Sequence, residues 1–306
     1  MRLFVEQWAP EYGSPMAPDA MDETTATVDV EVEVPAGEWA PRTPPPDAHD
    51  PAEVAFVDGV RRVDARVWVE SDRGASHQGL CASYAAGVVR CNGAATVVDA
   101  RVERGIFCDA PDLAPVATRH GCFGVRPVPS PAAGDALSLA LQRCMADLER
   151  VVSEAVPDDC LLVVDGPLRE RTGLDHAVGY VKTHHVSYLP ATVQEVVPRL
   201  AAGQRTPVFL IGDGGFRRWS WYLRLPGDRA HGWAGVVRCE LSPDRTVADV
   251  VAIADTCALV LPRYASEPHK DSRAPQNLYP IAGLERELRR RLGDPRLLYR
   301  ALRAAA

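Results

Sequence analysis

From residue 54 onward the apolar positions recur every two or every three to four residues. These two periods divide the chain into strands and helices. Val54-Ala55-Phe56-Val57 is a short apolar run ending at Asp58-Gly59, which predicts a buried strand closed by a turn. Arg62–Glu70 alternates, with Val63, Ala65, Val67 and Val69 on one face, and predicts a second strand. Gly87–Cys91 and Thr96–Val98 predict a third and a fourth, so this stretch reads as a β-meander. Residues 135–156 form the clearest helix. Leu137, Leu141, Cys144, Leu148, Val152 and Ala155 share its inner face, and Arg143, Asp147, Arg150 and Glu154 face water. Leu161–Val164 is another apolar run, again ending in Asp-Gly, at Asp165-Gly166. Strands are then expected at Val178–Leu189, Pro207–Ile211, Trp219–Leu225 and Trp233–Leu241. Helices are expected at Thr192–Leu200, with Thr192 as N-cap and Glu195 closing a capping box, and at Val247–Leu259 and Gly283–Leu292. Strands first, then strands alternating with helices, predict an α/β architecture in which helices flank a mixed β-sheet.

Residues 9–52 break this pattern. Pro10, Pro15, Pro18, Pro35, Pro41, Pro44, Pro45, Pro46 and Pro51 are too dense for helices or central strands. Within them Val28–Val34 alternates apolar with acidic residues, which predicts an edge strand with one buried and one wet face. The expected organisation is a Pro-rich arm over residues 1–52 and a single α/β domain over residues 53–306.

Composition narrows the function classes. The chain has 306 residues, 46% of them hydrophobic and 25% charged, with a formal net charge of −7. That suits a folded chain with a large core and excludes a polycation that coats nucleic acid nonspecifically. Any nucleic-acid contact must use a local basic patch or a bound metal. The eight cysteines form no CxxC pair, which argues against zinc ribbons and thioredoxin motifs and suits buried thiols in a reducing cytoplasm. Glu6 comes too early for a signal peptide. The most apolar segment, Val247–Leu261, is interrupted by Asp249 and Asp255, so no membrane span is expected.

The candidate chemistry lies at the two Asp-Gly sites. A carboxylate after an apolar strand is held rigidly, and glycine leaves room beside it; Asp-Gly is also a common turn dipeptide. Two such carboxylates repel each other, and a divalent cation resolves the repulsion. Glu149, on the flank of the helix before Asp165, is a third candidate, and Asp147 lies on the opposite flank.

The order of these segments resembles the NurA family. The resemblance rests on Phe56-Val57-Asp58-Gly59, the helix bearing Glu149, Leu162–Leu168, Val178–His184 and Asp271–Pro280, and covers about residues 53–306. It implies an RNase H-like fold and a Mn²⁺- or Mg²⁺-dependent DNA nuclease, working as a homodimer with a HerA-type hexameric ATPase in DNA end processing. It assigns Asp58, Glu149 and Asp165 as metal ligands. Family members often carry a further His near the C-terminus. Here that stretch, Pro280–Glu285, has none, and Asp271 is the nearest acidic substitute. Lys182, on the expected strand that follows Asp165, suits either a solvated strand end or a role in steadying a phosphate oxygen. The competing reading is a weakly active or inactive scaffold that binds DNA and docks on the ATPase.

Gly212-Asp213-Gly214-Gly215 lacks the ending of a phosphate-binding Walker loop and reads as a turn, with Asp213 in reserve as a ligand. His184-His185 lacks spaced partners for zinc. Trp219, Trp221, Tyr222 and Trp233 suit a core, or stacking on single-stranded bases. Seven C-terminal arginines between Arg286 and Arg303 make a local basic surface suited to DNA phosphates or an acidic partner.

Overall fold

The structure is a computed structural model, and it describes Trp8 and residues 22–71, 74–129, 134–168, 176–213, 216–228 and 230–305. Pro10, Pro15 and Pro18 of the expected arm, and Gly214-Gly215, lie outside the described residues. In chain order the strands are β1 (Asp22–Glu23), β2 (Thr27–Asp29), β3 (Val54–Glu70), β4 (Ser76–Asn92), β5 (Ala94–Cys108), β6 (Val116–Thr118), β7 (Gly121–Pro127), β8 (Leu161–Asp165), β9 (Val178–Val181), β10 (Val186–Ser187), β11 (Phe209–Asp213), β12 (Phe216–Arg224) and β13 (Val236–Leu241). The helices are α1 (Gly134–Ser153), α2 (Ala191–Gln194), α3 (Val196–Arg199), α4 (Val247–Val260), α5 (Tyr279–Arg291) and α6 (Pro295–Ala305). Eleven of the strands form a mixed sheet of order β2-β11-β12-β13-β9-β8-β3-β4-β5-β7-β6. The fold is therefore mixed α/β. The chain divides into two compact units, one of Met1–Phe56, Cys91–Ala94 and Pro157–Ala282, the other of Val57–Arg90, Ala95–Val156 and Gly283–Ala306.

In the first unit β8 and β9 run parallel, while β9, β13, β12, β11 and β2 pair antiparallel in turn. Trp39, Leu200, Phe209, Tyr222 and Val236 belong to one core cluster. Within residues 1–52, expected as an arm with one edge strand, the described residues Asp22–Pro51 include β2 at the sheet edge and a buried Trp39. β2 pairs with β11, and Trp39 is buried, with its indole N–H donating to the Val30 carbonyl at 2.8 Å. The edge strand is shorter than Val28–Val34 predicted, because Glu33 turns inward instead of facing water. It pairs with Arg205, which also holds Asp255 of α4 at 2.6 Å. A guanidinium buried to 2% exposure needs both carboxylates.

Two more expectations change here. Thr192–Leu200 is not one capped helix: α2 starts from Pro190 and α3 from Glu195, neither with a side-chain cap. Pro198 lacks the N–H that would bond to the Gln194 carbonyl, so the helix cannot run through. Val178–Leu189 is likewise interrupted: β9 ends at Val181 and β10 pairs with β1.

The second unit holds the meander apart from the start of β3 and the β4–β5 turn. β3, β4 and β5 are consecutive neighbours, and the β4–β5 turn is made at Gly93, at φ 73°. The expected break at Asp58-Gly59 is absent, for β3 runs unbroken from Val54 to Glu70. β6 and β7, which the periodicity did not announce, add an antiparallel hairpin whose β7 runs parallel to β5. The last turn of α5 is capped by Arg62 and Arg104, which donate to the carbonyls of Gly293 and Leu292. α6 closes the unit by burying Leu298 and Leu302 against Cys81, Ile106 and Phe123.

His184 shows how burial sets a charge state. It lies between the Tyr222 and Trp233 rings, at 5.7 and 5.2 Å, with Nε2 3.0 Å from the Val236 carbonyl. This side chain is a core residue of the first unit. Desolvation lowers its pKa to about 4. The unfolded chain titrates near 6.5, so below that pH it binds a proton the native state refuses. Stability should fall by about 1.4 kcal/mol per pH unit between pH ~6.5 and ~4 from this group. Urea unfolding at pH 7 and pH 5 should differ by about 2 kcal/mol more in the native protein than in His184→Gln. Equal differences would show that His184 titrates normally.

Candidate functional site

In the first unit the candidate residues gather at the carboxyl end of the parallel β8–β9 pair. Leu162, Val163 and Val164 are fully buried, and they deliver Asp165 to the strand end as expected. The chain then turns at Gly166, at φ 98°, a conformation that favours glycine, and the Gly166 N–H donates to the Tyr180 carbonyl at 2.8 Å. Gly179 lets this turn cross β9: a Cβ there would stand 2.8 Å from Leu168 Cγ and 3.1 Å from the Gly166 carbonyl oxygen.

One residue beyond β9, Lys182 donates from Nζ to Asp165 Oδ2 at 2.7 Å and to Asn277 Oδ1 at 3.1 Å. Asn277 is fully buried and donates from Nδ2 to Asp271 Oδ2 at 2.7 Å. The other Asp271 oxygen accepts from the Arg273 N–H at 2.8 Å. Asp165, Lys182, Asn277 and Asp271 thus form one polar chain in which the amide turns its acceptor to the ammonium and its donor to the carboxylate. The segment carrying Asn277 is fastened by Tyr180, whose buried hydroxyl donates to the Gln276 carbonyl at 2.8 Å. Burial holds that phenol well above its usual pKa, so it remains a donor.

The turn after Asp165 is held from a second side. Glu240 Oε2 accepts from the Leu168 N–H at 3.1 Å, while Oε1 pairs with Arg238 and with Arg218 at 2.8 Å. Burial pushes the Glu240 carboxyl up, but the two guanidinium charges outweigh it and hold it below the usual carboxylate range. Tyr188 lies under both cations, with its ring centroid 4.6 Å from Arg238 Cζ and 5.3 Å from Arg218 Cζ.

The second unit holds Asp58 and Glu149. Asp58 lies inside β3, and the Gly59 N–H donates to its Oδ1 at 2.8 Å. Both carboxylates are buried, Asp58 at 7% and Glu149 at 1% exposure. Gly59 accommodates close helix approach rather than a turn. A Cβ there would meet Glu149 Oε1 at 2.5 Å and Met145 Cγ at 2.9 Å, so α1 can lay its Glu149 across β3 only because this position is bare.

Thus Asp165, Lys182 and Asp271 come together in one unit, and Asp58 and Glu149 sit on facing elements of the other. Asp147 points to water. Among the described residues no group of three or more His, Cys, Asp or Glu is arranged to hold a metal ion. Trp219, Trp221 and Tyr222 are buried and unavailable for stacking on bases, whereas Trp68 is 67% exposed. Sequence reasoning passed over Asn277 and Glu240 as site residues. Asn277 had a signal, since it falls in the Asp271–Pro280 segment; Glu240 looked like any strand residue. No protein-family model matches the chain, and no curated protein matches it in sequence.

Gly59→Ala should cost about 1–3 kcal/mol in urea unfolding, since an added methyl displaces a buried carboxylate. A variant as stable as the native protein would show that Glu149 does not need the bare position.

Proposed function

We propose that the chain is a divalent-metal-dependent DNA nuclease of the NurA type, with an RNase H-like nuclease domain. The single observation that carries this reading is the Asp165–Lys182–Asn277–Asp271 chain at the carboxyl end of β8–β9. A polar network of this kind at the end of apolar parallel strands has no packing role that apolar residues would not fill more cheaply. Its carboxylates are of the kind that holds Mg²⁺ or Mn²⁺: Asp165 and Asp271 offer hard oxygen atoms and no sulfur.

A bound Mg²⁺ or Mn²⁺ supplies activation of water and charge stabilisation at the scissile phosphate. The chain's own residues do the rest. Lys182 offsets the Asp165 charge and stands ready to donate to a phosphate oxygen. Asn277 fixes the positions of Lys182 and Asp271 at once. Glu240, locked by two arginines, keeps the backbone after Asp165 in place. The partners that accompany this reading are DNA, a second copy of the chain and a HerA-type hexameric ATPase, in the cytoplasm. No helix among the described residues is long and apolar enough to cross a membrane.

The test is cleavage of linear DNA with Mn²⁺. Asp165→Asn and Asp271→Asn should each lower the rate at least about 100-fold, with the circular dichroism spectrum unchanged. EDTA should abolish native activity. Undiminished cleavage by Asp165→Asn, or cleavage in EDTA, would overturn the proposal.

A further inference from the structure

α5 and α6 are both rich in arginine, yet their charges are handled differently. On α5, Arg289 pairs with Glu285, and Arg290 and Arg291 pair with Glu287. Three of the four α5 arginines thus have a carboxylate partner on the helix itself. α6 spans Pro295–Ala305 and contains no acid. Its Leu298, Ala301 and Leu302 are buried, which turns Arg296, Arg300 and Arg303 to the opposite, exposed face at spacings of four and three residues. Among the described residues none of the three makes an ion pair with a carboxylate. Asp294, the cap of the helix, accepts at Oδ1 from the N–H groups of Arg296 and Leu297, and its single charge acts on Arg296 and Arg300.

A groove runs beside this stripe, between α6 and the β6–β7 hairpin. Ala117, Thr118, Ala301 and Ala304 form its walls, and Arg119 and Arg300 stand at its rim. Thr118 fastens the hairpin, donating from Oγ1 to the Gly121 carbonyl at 2.7 Å, and Arg119 Nε lies 3.1 Å from His120 Nε2. Small side chains give a shallow floor, and guanidinium groups on both sides give a line of positive charge. No aromatic ring lines the groove itself, and Tyr299 stands exposed on α6 beside the stripe.

We infer that the outer face of α6, with Arg119, is a docking track for the phosphodiester backbone of DNA. The occupant is chosen by charge. On a chain of net charge −7, a helix without acids that presents three exposed arginines at regular spacing suits a polyanion with regularly spaced charges. Arginine forks match phosphate oxygens, and contact along a backbone requires no base readout. The track deepens the nuclease reading by assigning where the substrate strand is held, and it can fail while that reading stands.

The experiment is fluorescence anisotropy of a labelled 20-nucleotide single strand in EDTA, where no cleavage occurs, over a range of salt. Arg296→Gln/Arg300→Gln/Arg303→Gln should lower the log–log salt slope by about 2 and weaken binding about 100-fold near 0.1 M salt. The corresponding Lys variants should bind nearly as the native protein does. Asp165→Asn should bind normally, which separates holding from cutting. Native affinity and slope in the Gln variant would overturn the inference. Loss of poly-glutamate binding with DNA binding intact would overturn it too, in favour of an acidic protein partner. The substituted side chains are exposed, and an unchanged thermal midpoint confirms the fold.

Discussion

Charge placed on apolar strands must be met by opposite charge within reach, and the first unit is arranged around that constraint. Glu240 is held between Arg238 and Arg218, Arg205 between Glu33 and Asp255, and Asp165 against Lys182. Removing one member of a buried pair leaves its partner desolvated and costs about 3–5 kcal/mol, so each set fixes the elements that carry it. Arg205 ties Glu33 and α4 to the sheet, and Glu240 ties β13 to the turn after β8. The other two sets each have a fully buried centre, Arg205 at 2% and Glu240 at 0% side-chain exposure, whereas Asp165 and Lys182 are both partly open at 16% and 12%.

The local periodicities were readable because they depend on neighbours in sequence. α1, α4 and α5 lie close to where the spacing of Leu141, Val250 and Leu284 put them, and β8 ends at Asp165 as its apolar run indicated. Errors arose where one residue type serves two purposes. Gly59 reads as a turn signal, but its bareness admits Glu149 of a helix far along the chain. Glu33 reads as a wet residue on an edge strand, but its partner Arg205 lies 172 positions away. Pro198 was legible and was outweighed by an apparent capping box.

The candidate site was legible in the same uneven way. Asp165 and Lys182 stand in one short stretch, and the ion pair between them follows from the parallel β8–β9 register. Asn277 joins them to Asp271 from a remote segment, and no local pattern could announce a fully buried amide as the link. The basic stripe of α6 has the opposite history. Its arginines were visible in the sequence, but only the structure shows that three of the four on α5 pair with carboxylates of their own helix and that those of α6 lie on its exposed face.

The central claim is that Asp165 serves a divalent cation, and direct binding of Mn²⁺ tests it without reference to cleavage. Titration of Mn²⁺ followed by electron paramagnetic resonance should show the free-ion signal suppressed by the native protein and restored on adding Mg²⁺ in excess. Asp165→Asn should leave the free signal largely intact. Equal suppression by native protein and Asp165→Asn, or none by either, would contradict the account.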